Sequence, residues 1–261
     1  MTEGEITSPS NPKIKEIARL NNRAVRDETG RFLVEGTREL ERAVTAAIDI
    51  ELVLINRDSA GGVEEDLVIR IGAPVFRVTE PVQAKVSRRQ RPAPIIAVAR
   101  QFMSDAQQVL RNSDLVLIAD SIEKPGNLGA MLRTADGTGA GVIVCGDGTD
   151  LFNPNVVRAS QGSLFVVPVA KAGAAEIAAE LNETGFQTLV ASPDGAVVYH
   201  HTDLTLPTAV VVGSEHRGVA KRWLDLGRTV SIPMAGTADS LNASVAAAVI
   251  LSEAIRQRSS G

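Results

Sequence analysis

The second half of the chain carries six aliphatic runs separated by segments of helix length. They are "LVLIAD", "GVIVCG", "LFVVPVA", "TLVASP", "TAVVVGSE" and "VSIPMA". Runs this uniformly apolar do not suit strands with one wet face; they suit strands buried on both faces, as in parallel sheets covered by helices. Between them, helices are predicted at "LGAMLRTADGTG", "NPNVVRAS", "AAEIAAELNETG" and "AKRWLDLG", and in the C-terminal run from Ala243. The pattern specifies an α/β domain with a mostly parallel sheet and helices on both faces.

The first hundred residues alternate less regularly. Asn11 to Arg26 reads as one basic amphipathic helix with Ile14, Ile17, Ala18 and Leu20 on its apolar side. "RFLVEG", "IELVLIN", "PVFRVT" and "APIIAVARQ" read as strands, with helices at "TRELERAVTAA", N-capped by Thr37, and at "EPVQAKVS". A polar stretch from Ser104 to Ser113 reads as a linker. A length of 261 residues suits two modest domains, placed at 1–105 and 106–261.

Composition removes several classes of function. Aromatic residues make up 3% of the chain, too few for a platform of rings that stacks single-stranded bases. The single cysteine, Cys145, excludes an internal disulfide and a cysteine-rich zinc site, and its apolar neighbours predict a buried strand position. His200, His201 and His216 lack metal-ligand spacing, so no metal is expected. The N-terminus has no apolar signal core and no run approaches about 20 apolar residues, so a soluble, cytoplasmic protein is expected. The net charge of −4 is unevenly spread: residues 1–100 hold 16 Lys/Arg against 15 Asp/Glu, and the remainder 11 against 16. Lys85, Arg88, Arg89, Arg91 and Arg100 cluster in "KVSRRQRPAPIIAVAR", as an RNA-phosphate footprint or as a solvated loop.

In parallel α/β sheets, ligands bind beyond the carboxyl ends of the strands. Three such ends run into Gly-rich or polar segments: "SIEKPGNLGAMLRTADGTGA", "SEHRGVAKRW" and "AGTADSLN". The dinucleotide fingerprint is missing, since "VIVCGDGTDL" places Leu151 where a third glycine belongs, and no Walker-type loop is present. The last segment sets Ser240, Asn242 and Ser244 around the start of an aliphatic helix. Capping accounts well for one such residue and poorly for three; of these, Asn242 is the one least expected to be only a cap.

Taken together, "NLGAMLRTADGTGA", "VVVGSEHRGV" and "SIPMAGTADSLNASVAAAVILSEA" resemble the SpoU/TrmH family of RNA ribose 2′-O-methyltransferases, in the wider SPOUT class. The three segments occur in the family's order and span the chain from Leu115 to its end. The first hundred residues, especially "GRFLVEGTRELERAV", more loosely resemble the L30e-like substrate-binding domain of many members.

The resemblance implies a C-terminal sheet with a deep trefoil knot and S-adenosylmethionine as cofactor. Carried over by position, Ala191, Gly213, Ile232, Met234 and Leu241 would hold that cofactor. Arg133 would stand beside it to grip a phosphate and stabilise the ribose oxygen, with action as a base physically awkward for a guanidinium. Asn127, Glu215, Ser240 and Asn242 would complete the catalytic group. Lys85, Arg88, Arg89, Arg91 and Arg158 would contact RNA, with Arg158 and Ser160 as readily scaffolding. The implied partner is structured RNA, ribosomal first and transfer RNA second. The all-round apolar character of the C-terminal helix adds a homodimer. A non-catalytic RNA-binding protein of the same fold, and a different α/β enzyme, are the alternatives.

Overall fold

The computed structural model describes residues 2–215 and 217–259; His216 lies outside them. The chain forms two compact units, Met1–Phe102 with Asp150–Val166, and Met103–Thr149 with Val167–Gly261. The sequence places one boundary at 105/106 and gives no sign that residues 150–166 belong with the first unit.

The first unit holds strands β1 (Thr2–Ile6), β2 (Arg31–Glu35), β3 (Ile50–Asn56), β4 (Val75–Val78) and β5 (Ile95–Arg100), and helices α1 (Pro12–Arg19), α2 (Arg23–Thr29), α3 (Thr37–Thr45), α4 (Gly62–Ile71) and α5 (Glu80–Val86). The strands lie in the order β1-β4-β3-β5-β2 as a mixed sheet, with β5 antiparallel to both β2 and β3. The basic N-terminal helix is two helices, not one. Asn22 caps α2 by accepting from the Ala24 amide (2.9 Å), and a new cap there ends the previous helical run. Thr37 is likewise inside its helix rather than at the cap, which is Gly36; its hydroxyl donates to Glu64 Oε1 at 2.7 Å.

A buried ion pair and a cluster of phenylalanine rings tie residues 150–166 into this unit. Arg26, only 1% exposed, donates to both Asp150 oxygens (2.8 and 3.3 Å) and to the Leu20 carbonyl (2.8 Å). A buried guanidinium with these partners has its charge and its donors satisfied. Phe32, Phe102, Phe152 and Phe165 pack together with centroids 4.7–6.4 Å apart, so most of the chain's few phenylalanines meet here.

The second unit holds β6 (Leu115–Asp120), β7 (Gly141–Cys145), β8 (Val169–Lys171), β9 (Gln187–Ala191), β10 (Val197–Val198), β11 (Thr208–Val212) and β12 (Arg228–Ser231). They form one sheet in the order β10-β12-β9-β11-β6-β7-β8, and every pairing is parallel. Its helices are α6 (Ala106–Asn112), α7 (Pro125–Thr138), α9 (Ala174–Thr184), α10 (Lys221–Leu226) and α11 (Ala243–Arg258), while α8 (Pro154–Ser160) belongs to the first unit.

Strands β6, β7 and β11 are buried at every position, as their uninterrupted aliphatic character requires. The polar stretch 104–113 is not a linker: Asp105 caps α6 through the Gln107 amide (3.1 Å), and Ala106, Val109 and Leu110 turn inward. The strand expected at "LFVVPVA" shrinks to three residues, because Ser163–Phe165 wind into a 3-10 turn. Cys145 is buried, and burial pushes its thiol up to about 12, with Asp120 adding to the effect.

Candidate active site

The site is built at the carboxyl ends of β6, β9, β11 and β12. A cleft with a cavity volume of ≈ 160 Å³ lies there. All five residues assigned by resemblance to cofactor contact, Ala191, Gly213, Ile232, Met234 and Leu241, line it. The floor is aliphatic, from Val212, Val219 and Val230, and the rim is polar, from Ser192, Ser214, Glu215, Asp239 and Ser240. Among its lining residues there are two carboxylates and no Lys or Arg.

The loop after β11 is a tight turn. Gly218 N–H donates to the Ser214 carbonyl (2.9 Å), and the Arg217 amide donates to Ser214 Oγ (3.1 Å). Its return brings backbone against Gly213 so closely that a Cβ there would collide with the Gly218 carbonyl and lie 2.6 Å from the Val219 nitrogen. Only glycine leaves room for that approach. Beneath it, the buried Asp120 at the end of β6 accepts from the Ala220 amide (3.1 Å) and anchors the loop's far end.

Three of the expected catalytic residues meet. Glu215 Oε1 accepts from Asn127 Nδ2 at 2.9 Å and from Asn242 Nδ2 at 2.6 Å. Asn242 Nδ2 also reaches Asn127 Oδ1 at 3.1 Å. Lys124 Nζ pairs with the other carboxylate oxygen of Glu215. This clasp joins the first turn of α7, the loop after β11 and the start of α11, three segments far apart in sequence. With both oxygens taken by donors, Glu215 acts as a fixed hub rather than as a proton acceptor.

Asn242 caps α11 as well as joining the clasp, so it is not only a cap. Its Oδ1 accepts from the Ser244 amide (2.9 Å) and hydroxyl (2.7 Å), leaving Nδ2 for the clasp. An amide has separate acceptor and donor ends, so capping and site-building do not compete. Ser244 therefore serves the cap, and Ser240 lines the cavity.

Arg133 does not join them within one chain. It is exposed, makes no hydrogen bond or ion pair among the described residues, and is absent from the cavity lining. Six helical residues carry a side chain about 9 Å along the axis and about 240° around it, away from Asn127. Around α7 Arg133 lies about 60° from Ala130 and about 100° from Thr134. Those two residues, with Tyr199, Val245, Ala248 and Val249, line a shallow groove between α7 and α11. The buried stripe of α11 is Ala243, Ala247, Ile250, Leu251 and Ala254, so its second apolar side faces out at this groove.

In the first unit, Arg88, Arg89 and Arg158 line one small hollow with Asn21, Glu35 and Asn155. Arg89 is committed there: it donates to the Glu35 carbonyl and lies 3.6 Å from Glu35 and 3.7 Å from Glu39 carboxylate oxygens. Such a guanidinium shapes its loop rather than standing ready for a phosphate. Arg88, Arg158, Lys85 and Arg91 are exposed. Ser160 is buried, its hydroxyl donating to the Val157 carbonyl (2.8 Å), which makes it scaffolding.

Sequence reasoning missed Lys124 and Asp239. Lys124 shares a strand-to-helix turn with Asn127, and Asp239 is the lone carboxylate in a run of small residues. Among the described residues, no group of His, Cys, Asp and Glu converges as a metal site, and no helix is long and apolar enough to cross a membrane.

Comparison with known proteins bears on this geometry. Residues 114–252 match the model of the SpoU rRNA Methylase family, and residues 11–97 match the MRM3-like substrate binding domain. The chain is 30% identical to the 23S rRNA (guanosine(2553)-2′-O)-methyltransferase RlmP of Bacillus subtilis, over 95% of this chain and 97% of that protein. It is 33% identical to a 23S rRNA (uridine(2479)-2′-O)-methyltransferase of Streptomyces viridochromogenes, over 94% of this chain and 89% of that one. The crystal structure of the SpoU methyltransferase AviRb from the same organism, in complex with AdoMet, superposes with a TM-score of 0.88 at 31% identity, covering 96% of this chain and 100% of that one.

Proposed function

The chain belongs to the SpoU rRNA methylase family, and on that premise we propose that it transfers the methyl group of S-adenosylmethionine to a ribose 2′-hydroxyl of ribosomal RNA. The observation that carries this reading is the Asn127–Glu215–Asn242 clasp at the mouth of a cleft lined by Ala191, Gly213, Ile232, Met234 and Leu241. The cleft suits the cofactor in two respects. Its floor is aliphatic beside a backbone turn that glycine alone permits, and its charged residues are acidic while S-adenosylmethionine carries net positive charge.

When bound, S-adenosylmethionine supplies an electrophilic methyl carbon on a sulfonium. The chain's part is to align a hydroxyl with it and to steady charge as the proton leaves. The clasp fixes the loop after β11 and the start of α11 in register with α7, so the cleft walls hold their spacing. Arg133, always protonated, binds the neighbouring phosphate and stabilises negative charge on the ribose oxygen.

Because Arg133 is exposed and lines no part of the cleft, this reading gives it a working position in a homodimer joined through the α7–α11 groove. Val245, Ala248 and Val249 there are apolar or small, and the family resemblance supports the pairing. Light scattering at micromolar concentration is expected to give twice the 27.5 kDa chain mass; a stable monomer contradicts this part. A deep trefoil knot, with segment 232–242 passing through an earlier loop, also belongs to the reading and rests on family membership. So does a cytoplasmic location, where ribosomal RNA is available. The first unit is the substrate-binding domain, with Lys85, Arg88, Arg91 and Arg158 as its RNA contacts.

The clasp itself is tested by Asn242→Asp. The new carboxylate still accepts from Ser244 but offers no donor and sets a like charge against Glu215. Methyl transfer is expected to fall about tenfold or more, with the far-UV circular dichroism unchanged; a normal rate removes the clasp from the mechanism. The whole reading is tested by incubating the protein with methyl-labelled S-adenosylmethionine and either 23S ribosomal RNA or transfer RNA. Label in the ribosomal RNA is expected. Label confined to transfer RNA changes the substrate, and label in neither contradicts the activity.

A further inference from the structure

The cleft lining poses a charge question that the clasp does not answer. Among the described residues it contains two carboxylates and no cationic side chain. One of them, Glu215, is neutralised where it stands by Lys124 and the two asparagine amides. The other, Asp239, makes no hydrogen bond or ion pair among the described residues. It lies in the exposed segment between Met234 and Leu241, both of which line the same cleft. An ionised carboxylate held at the rim of an aliphatic cleft, with no partner of its own, raises the affinity of that cleft for a cation and lowers it for an anion.

Resting on the cofactor reading above, we propose that Asp239 is the cleft's electrostatic recognition residue for the positive charge of S-adenosylmethionine, its ammonium and sulfonium groups. The role is binding rather than chemistry. A carboxylate beside a cation that loses charge during transfer favours the bound donor over the transition state, so it lends affinity and does not raise the rate of the chemical step. Its competitor is a contact to the uncharged ribose diol of the cofactor, which a carboxylate also makes readily.

The two are separated by the isosteric variant Asp239→Asn, which keeps the hydrogen-bonding oxygen and loses the charge. Titration calorimetry on the full-length protein measures S-adenosylmethionine and 5′-methylthioadenosine, which keeps the adenosine and its diol but has neither ammonium nor sulfonium. The expected result is a Kd for S-adenosylmethionine raised about three- to tenfold, lessening as salt screens the pair, with the Kd for 5′-methylthioadenosine unchanged. Asp239→Lys is expected to weaken S-adenosylmethionine further. Equal weakening of both ligands overturns the proposal in favour of the diol contact, and no weakening of either overturns it outright. If the wild-type protein binds neither ligand, the cofactor reading itself fails and takes this inference with it; that outcome is distinct from a wild type that binds and a variant that matches it.

Discussion

Replacing Arg133 by alanine is expected to lower methyl transfer to RNA by about 10²–10³-fold, the scale on which removing one charge-stabilising donor slows an enzyme. The side chain is exposed and has no partner among the described residues, so its loss leaves no cavity and no orphaned group. The Tm and the Kd for S-adenosylmethionine are therefore expected to stay at their wild-type values. That combination separates a catalytic guanidinium from a surface arginine. Arg133→Lys keeps the charge but loses the planar fork, and is expected to recover only a small part of the rate. A near-normal rate in the alanine variant, with cofactor binding intact, removes Arg133 from the reaction.

Gly213→Ala is expected to act on the other half of the site. The added carbon would collide with the Gly218 carbonyl and lie 2.6 Å from the Val219 nitrogen, backbone atoms that cannot swing aside as a side chain can. The loop after β11 must open, and both Glu215 and the cleft wall at Gly218 and Val219 move with it. Expected results are a loss of S-adenosylmethionine affinity of at least about tenfold and a fall in stability of about 1–3 kcal/mol, the usual cost of overpacking. Asp120→Asn, which keeps an oxygen to accept from Ala220, serves as a milder control in the same measurement. Unchanged calorimetric binding in Gly213→Ala is incompatible with a cofactor seated against this turn.

The parallel sheet was legible because strands such as β6 and β11 are apolar at every position, and only burial on both faces explains that. The cleft was legible because the segments that line it follow directly on those strands. Three things were not. Asn242 was weighed as a cap against a site residue, although an amide has one end for each. Residues 150–166 were read with the second domain, because the partners that hold them, Arg26 and the phenylalanine cluster, lie more than a hundred residues earlier or are scattered along the chain. Asn127 and Arg133 stand six residues apart, and the sequence does not display the roughly 240° of helix turn that separates their side chains.

The most direct test follows the chemistry of the product. A ribose carrying a 2′-O-methyl group cannot assist cleavage of its own phosphodiester, so alkali leaves that linkage whole. RNA labelled by this protein from methyl-labelled S-adenosylmethionine is hydrolysed in alkali and its products are separated by size. The account requires the label in an alkali-resistant dinucleotide. Label released in a mononucleotide places the methyl group on a base, and contradicts transfer to the ribose.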